Sequence, residues 1–321
     1  MYSYPLYGKF DPTFIMSIFY FVIFGIMFAD VGYGLIVALG CLAAVKLLKL
    51  SDGLKRSLTM FGYCGISCIV FGVLFGSYFG DMPIAIMKTM MGIPESELPN
   101  LSILPSDSPT LALLLDPLQD PMGFLIFSLA VGAIHLIAGM AVKFVILCKD
   151  GHVWDAIFDI GAYWVLFAGF GLLAIVPEVG KWVAIAGAVF IVLTHGRDAK
   201  NIFMKLAKGL LGLYDLINYG SDLLSYSRIL ALGLSAGIIA QVVNLLGTMG
   251  GPTVGGFIMM AFVFVIGHVL NLAINMLGTF VHASRLQYIE FFGKFYEDGG
   301  EQFSPALPAE NYSEDCKDVP N

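Results

Sequence analysis

The sequence predicts an all-α, polytopic membrane protein with eight transmembrane helices, and three observations support this fold class. Hydrophobic residues make up 58% of the chain and charged residues only 13%, far from the balance of a soluble domain. The apolar segments are continuous over roughly 20 residues, whereas the strands of a membrane barrel alternate over about 9 to 11. Short polar or glycine-rich breaks separate the segments.

The breaks between apolar segments define the predicted spans. The stretch Asp30-Val-Gly-Tyr-Gly34 interrupts the first apolar region. We predict two helices there, because a single helix over residues 13–48 would bury a carboxylate at its middle. Glycines recur every fourth residue at Gly72, Gly76 and Gly80, where close helix packing is the default explanation. The eight predicted spans are 13–28, 31–48, 57–80, 122–148, 154–176, 179–196, 201–247 and 254–296.

The last two predicted spans are unusually long. Residues 201–247 contain no proline, and a helix of that length would measure on the order of 70 Å, more than twice the hydrocarbon thickness of about 30 Å. Such a helix must tilt steeply, break, or begin outside the bilayer. A glycine-rich turn at 247–252 then leads into the eighth span. We therefore expect the two long helices to form one hairpin.

Lysine and arginine counts predict the orientation in the membrane. Loops two-three, four-five and six-seven carry ten of these residues, while the opposite loops carry only Lys88 and Lys181. By the positive-inside rule both termini are cytoplasmic and the acidic segment 81–121 lies outside. Residues 301–321 are expected to form a polar cytoplasmic tail. The net charge of −7 comes mostly from that segment and the tail, so it does not indicate nucleic-acid binding.

Two polar stripes lie in the last two spans, and each carries one arginine. The first recurs in steps of three or four residues on one helix face and consists of Tyr214, Asn218, Ser221, Ser225 and Arg228. The second consists of His268, Asn271, Asn275, Gly278, His282 and Arg285, with Gln287 and Glu290 beyond it. An ionisable side chain inside a membrane is costly and by default indicates function.

A structural interpretation competes with the functional one. Asn, Ser and His bond across helices in membrane bundles, and this applies to Ser221, Ser225, His268 and Asn271. His135 in the fourth span is best explained as a hydrogen-bonded interior histidine. Glu290 lies near a cytoplasmic helix end, where solvation is the simpler explanation.

Arg228 differs from these residues because no acidic side chain lies on its own helix face within two turns. Asp222, six residues earlier, points elsewhere on the helix. We therefore expect Arg228 to meet a carboxylate of another molecule. A carboxylate of this chain that neutralised its guanidinium would overturn the functional interpretation of Arg228 altogether.

Three stretches of the sequence are distinctive: FGIMFADVGYG at 24–34, SYSRILALGLS at 225–235 and HASRLQYIEFFGKFYEDGG at 282–300. They resemble the membrane half of the large stator subunit of V-type and A-type rotary ATPases, called subunit a or subunit I. The last stretch is most similar to bacterial members. The resemblance implies two offset aqueous half-channels held against a rotating ring of proteolipid subunits, whose carboxylates carry protons or sodium ions.

The resemblance also assigns roles to individual residues. The functional arginine of the family falls on Arg228 and its second arginine on Arg285. Its polar half-channel positions fall on Asn218, Ser221, His282 and Glu290. Tyr214 and Asn275 stand where eukaryotic members carry acids, so the identity of the ion stays open. The large cytosolic N-terminal half of the family has no counterpart here, and a membrane-domain fragment or a short member is expected.

The implied partners are the proteolipid ring, the peripheral and central stalk subunits, and the lipid bilayer. No cofactor, nucleic acid or direct ATP binding is expected. The sequence has no GxxxxGK[ST], HExxH or GxSxG motif, so we expect no enzymatic activity from this chain alone. A multi-pass protein of a bacterial plasma membrane is the expected location.

A secondary transporter or channel for an anionic substrate is the alternative, with Arg228 and Arg285 as ligands. That class predicts pseudo-symmetric halves with matching broken helices. Here the arginines and the overlong helices lie only in the second half. Copurification of proteolipid subunits would favour the stator, since a transporter has no reason to retain them.

Overall fold

The computed structural model describes residues 4–5, 10–94, 97–102, 110–195, 202–296 and 298–300. The tail at 301–321 lies outside them. The described part is all-α except for antiparallel pairing of β1 (Tyr4–Pro5) with β2 (Asp298–Gly300). Its helices are α1 (Thr13–Met27), α2 (Val31–Leu47), α3 (Asp52–Phe75), α4 (Met82–Thr89), α5 (Pro121–Lys149), α6 (Val153–Ala156), α7 (Ala162–Ile175), α8 (Pro177–His195), α9 (Ile202–Ser225), α10 (Ser227–Thr248) and α11 (Val254–Arg285). A π-helical turn, Ile157–Gly161, joins α6 to α7.

Five helical stretches are long and apolar enough to cross a membrane. They are Asp52–Phe75, Pro121–Lys149, Pro177–Thr194, Tyr214–Thr248 and Val254–Lys294. Shorter apolar helices cover Thr13–Met27, Val31–Leu47 and Ala162–Leu173. Many large apolar side chains on these helices are exposed, as expected for surfaces that contact lipid. The count of eight spans stays a prediction.

The helices pack around two cores, and α5 contributes to both. The first core joins α1, α2 and α3 to α10 and α11, with Phe24 and Tyr226 among its buried residues. The second joins α7, α8 and α9 around Leu166. From α5, Leu136 belongs to the first core and Met140 to the second. Helix α5 therefore connects the two groups.

The break between α1 and α2 falls at Asp30, as the sequence predicts. Asp30 has extended backbone angles and caps α2, because its side chain accepts a hydrogen bond from the Tyr33 N–H at 3.0 Å. Helix α3 comes very close at this point. A Cβ atom on Gly72 would lie only 2.5 Å from the Val31 nitrogen. The packing explanation is therefore confirmed for Gly72.

The next two glycines serve packing as well as backbone conformation, because an added Cβ atom would lie 2.1 Å from the Ala112 nitrogen at Gly76 and 2.7 Å from Cβ of Ala240 at Gly80. Gly76 and Gly80 have φ angles of 72° and 69°, in the left-handed region that favours glycine. Gly76 ends α3 after Phe75, five residues before the predicted boundary at residue 80. The chain then turns into α4, which packs on α10.

The long apolar region 201–247 breaks into two helices at Tyr226, one of the three outcomes expected from its length. The Tyr226 N–H bonds to the Leu223 carbonyl at 3.1 Å, and the Ile229 N–H bonds to the Tyr226 carbonyl at 3.0 Å. Both bonds span three residues, which tightens the backbone locally. Tyr226 is buried at this break.

Helix α11 also changes geometry, near its C-terminal end. It follows α10 after a short turn and packs along it. After Arg285 the chain continues as a π-helix, Leu286–Phe291, and a 3-10 turn, Phe292–Lys294. The π-helix buries Gln287 and Glu290.

Candidate functional site

Arg228 and Glu290 face each other across the end of the last two helices. Arg228 lies in the first turn of α10, directly after the break, with 27% of its side chain exposed. Its Nη1 atom is 3.7 Å from Oε1 of Glu290, whose side chain is 2% exposed. A charge-assisted hydrogen bond would measure about 2.7–2.9 Å. The two charges therefore face each other without a direct hydrogen bond.

This contact corrects two expectations. Glu290 is buried, so its interpretation as a solvated side chain is wrong. Arg228 also has a carboxylate of its own chain nearby, which we did not expect. Inspection of one helix face could not find this carboxylate, because it comes from a different helix and from a π-helical register. Asp222 points elsewhere, as expected, and pairs with Lys294.

Polar atoms that lack a hydrogen-bond partner among the described residues are concentrated around this pair. They include Nη1 of Arg228, Oε2 of Glu290 and Nδ1 of His282. Burial of such atoms without partners costs free energy, and most of all within a bilayer. Arg285 lies one residue before the π-helix and is exposed. Several buried polar atoms of this region are thus left without a bond to the described part of the chain.

The polar stripe of α9 lies on the protein surface and leads to Arg228. Tyr214 is 59% exposed, and Asn218 and Ser221 are exposed as well. Ser225, the last residue of α9, is half-buried and donates a hydrogen bond to the Ser221 carbonyl at 3.3 Å. These side chains form an outward-facing polar strip on the second half of α9.

The first half of the α11 stripe lies in a separate and fully bonded region. The Tyr33 hydroxyl is 2.5 Å from Nδ1 of His268 and accepts a hydrogen bond from the Asn271 amide at 2.8 Å. Nε2 of His268 lies 3.0 Å from the Asn244 amide oxygen. Asn275 donates to the Asn271 carbonyl at 2.9 Å. These bonds hold α11 against α2 and α10, which favours the structural interpretation of this half.

Directions within the network follow from its acceptors. An amide oxygen can only accept, so Nε2 of His268 carries a proton. The Asn244 amide nitrogen donates to the Phe79 carbonyl at 2.8 Å and to the Asp81 carboxylate at 3.0 Å. The network is therefore a chain of donors and acceptors that ends on a carboxylate.

Asp30 anchors the loop after α3, a role that the sequence did not reveal. Its carboxylate accepts the Ser77 hydroxyl at 2.6 Å. It also accepts the backbone N–H groups of Tyr33, Phe79 and Gly80 at 3.0, 3.2 and 2.9 Å. An aspartate that precedes an apolar run is the helix-cap signal that could have indicated this function.

A cavity of about 170 Å³ opens beside Asp30. Asp81 and Asp116 also line it, together with parts of α10 and of the segment before α5. Three carboxylates therefore surround one small cavity beside α10. The predicted orientation places this cavity on the non-cytoplasmic side.

Comparison with known proteins gives a consistent result, although no family model matches the chain. It is 32% identical over 332 residues to A-type ATP synthase subunit I of Methanocaldococcus jannaschii, an alignment that covers 98% of this chain and 47% of that protein. It is also 32% identical over 323 residues to A-type ATP synthase subunit I of Thermococcus kodakarensis, covering 95% and 44%. The chain thus spans about half the length of the curated relatives it matches.

V-type relatives are more distant. V-type ATP synthase subunit I of Chlamydia trachomatis is 25% identical over 361 residues, covering 95% of this chain and 53% of that protein. The relatives near 32% identity are archaeal. The expected bacterial origin is therefore not supported.

Proposed function

Because the chain is a homologue of subunit I of A-type and V-type ATP synthases over nearly its whole length, we propose that it is the ion-translocating stator of a rotary ATPase. It holds two half-channels against a proteolipid ring, and it couples proton or sodium transport to ATP chemistry on other subunits. The observation that carries this proposal is the place of Arg228, partly exposed at the break between α9 and α10 and next to buried polar atoms without partners among the described residues, with an ion pair to Glu290 as long as 3.7 Å.

Arg228 acts as a fixed positive charge on the path of the ring. Arginine remains protonated at any physiological pH, so it cannot pass a proton on. A ring carboxylate that approaches it is favoured in its ionised form, because an opposite charge within about 4 to 6 Å stabilises that form. Arg228 therefore releases the ion from the ring and blocks direct flow between the half-channels. Movement of one charge across about 100 mV corresponds to about 2.3 kcal/mol, the scale of work per ion.

The contact with Glu290 fits this role as an exchangeable partner. A bidentate pair at hydrogen-bond distance would neutralise Arg228 and leave little attraction for an incoming carboxylate. At 3.7 Å the contact leaves hydrogen-bonding capacity on the guanidinium for a second acid, and 27% of the arginine side chain is exposed. Glu290 then compensates the charge between successive ring subunits.

Two polar regions at opposite ends of α10 suit two offset half-channels. Arg228 and Asn244 are separated by 16 residues, which corresponds to roughly 24 Å along a helix. The α9 strip and the π-helix form the polar surface at the Arg228 end of α10. The acidic cavity beside Asp30 lies toward the Asn244 end. We assign the Arg228 end to the cytoplasmic half-channel. We assign the acidic cavity, and not the hydrogen-bonded network of His268 and Asn271 beside it, to the external one.

The test is ATP-driven pumping by the complete complex in vesicles. Arg228→Ala is expected to abolish pumping while the complex still assembles, and Arg228→Lys to do nearly the same because lysine lacks the planar fork. Arg56→Ala, at an exposed arginine of α3, is the matched control and should pump normally. Normal pumping by Arg228→Ala would overturn the proposal. Pumping measured with sodium and without it identifies the ion.

A further inference from the structure

Helix α5 contacts both sides of the Arg228–Glu290 pair through one buried side chain. Nδ1 of His135, which is 0% exposed, lies 2.7 Å from the Tyr226 hydroxyl. The His135 ring also stacks on Phe291, with centroids 4.4 Å apart and planes 15° apart. Tyr226 precedes Arg228 by two residues, and Phe291 directly follows Glu290. One imidazole thus contacts a near neighbour of each charged residue.

Two glycines on the same face of α5 complete this contact. A Cβ atom on Gly132 would lie 2.4 Å from Cγ of Tyr226. A Cβ atom on Gly139 would lie 3.2 Å from Cδ2 of Phe291. With His135 between them, the spacing of three and four residues puts all three on one helix face. This face accommodates both aromatic rings, and a larger side chain at Gly132 would displace Tyr226.

Tyr226 occupies the break that starts α10, so its position determines where the first turn of α10 lies. Phe291 ends the π-helix, so its position determines how far Glu290 reaches toward α10. We propose that Gly132, His135 and Gly139 together set the separation of Arg228 and Glu290, with His135 as a positioning residue for ion transport. This proposal rests on the proposed function of that pair.

The most conservative variant is Tyr226→Phe, which removes only the hydroxyl that bonds to His135. We expect the rate of ATP-driven ion pumping to fall about three- to tenfold, the scale of one lost buried hydrogen bond, while assembly is unchanged. Tyr163→Phe is the matched control, because its hydroxyl donates to the Gly212 carbonyl at 2.9 Å in the second core. It should pump as the wild type does. An equal loss in both variants would contradict the proposal.

Variants of His135 provide an independent test. Asn keeps a nitrogen near the position of Nδ1, whereas Leu keeps only bulk, so His135→Asn should retain more pumping than His135→Leu. The two variants contradict a positioning role if they lose pumping equally.

A double-mutant cycle separates positioning from general packing. If Tyr226 acts through the charged pair, Tyr226→Phe should add no further loss to Glu290→Gln. If the double variant shows the product of the two single losses of pumping, the positioning role is wrong. Normal pumping by Arg228→Ala would instead overturn the proposed function itself. Loss of pumping by Arg228→Ala with normal coupling in Tyr226→Phe and His135→Leu would overturn only the inference about α5.

Discussion

The two polar regions at the ends of α10 differ in how completely their groups are bonded. Around Asn244, the side chains of His268, Asn271 and Asn275 all form hydrogen bonds within the chain. Around Arg228, the described part of the chain offers no hydrogen-bond partner for several buried polar atoms. In a bilayer an unpaired polar group is costly. We therefore expect the region around Asn244 to hold the helices together, and the region around Arg228 to bond to another molecule.

This difference indicates that a polar stripe on a membrane helix can serve either helix packing or contact with another molecule. Residues 268–275 and 282–290 are both polar stretches of one helical segment, but only the second carries charged residues, Arg285 and Glu290. The partners from other helices show which stretch is bonded within the chain. Four variants test this difference between the regions around Asn244 and Arg228, from the largest expected effect to the smallest.

Asp30→Ala should cause the largest loss of stability. It removes the acceptor of the Ser77 hydroxyl and of three backbone N–H groups. The expected cost is on the order of 4 kcal/mol, because each buried donor without an acceptor costs about 1–3 kcal/mol. Thermal unfolding of the purified complex measures it, with Asp52→Ala at an exposed helix start as the control. An unchanged melting temperature would remove Asp30 from the stabilising network.

Tyr33→Phe should have an intermediate effect on stability alone. The hydroxyl bonds to His268 and Asn271, so its loss should cost about 2 kcal/mol. Pumping per folded complex should stay at the wild-type level, and exposed Tyr63→Phe should change neither quantity. A loss of pumping without a loss of stability would show that ions pass through this network, which would contradict its role in helix packing.

Glu290→Gln should show the opposite behaviour. The amide has the same shape and the carboxylate makes no close ion pair, so the melting temperature should hardly change. Pumping should fall on the order of tenfold, equivalent to about 1.4 kcal/mol, because Arg228 loses its compensating charge. Exposed Glu178→Gln is the control. A large drop in melting temperature with normal pumping would make Glu290 a structural residue.

Thr253→Ala lies outside both regions and should have the smallest effect. Thr253 caps α11 by accepting the Gly256 N–H at 3.0 Å, so its loss should cost about 1 kcal/mol. Pumping should not change, and Thr253→Ser should restore the melting temperature. Altered pumping in both variants would show that transport responds to any disturbance of α11.

The sequence predicted local features well. The break at Asp30 and the apolar extent of the helices follow from periodicity and from turn residues. It could not predict that Tyr226 would carry the break in the long apolar region, because Tyr226 is held there by His135 of α5. The Arg228–Glu290 contact was missed for a similar reason, since a π-helix alters the register after Arg285. Such features depend on packing between distant parts of the chain.

The central claim is that the surface beside Arg228 meets the proteolipid ring, and cross-linking measures this directly. Ala231, one turn after Arg228 on α10, is exposed and can carry a cysteine with a benzophenone group, in a chain whose own cysteines are replaced by serine. Val189→Cys on the exposed side of α8 is the control. After illumination of the assembled complex, we predict an adduct between residue 231 and a proteolipid subunit, and none from residue 189. Adducts of residue 231 with lipid or with this chain alone would contradict the account.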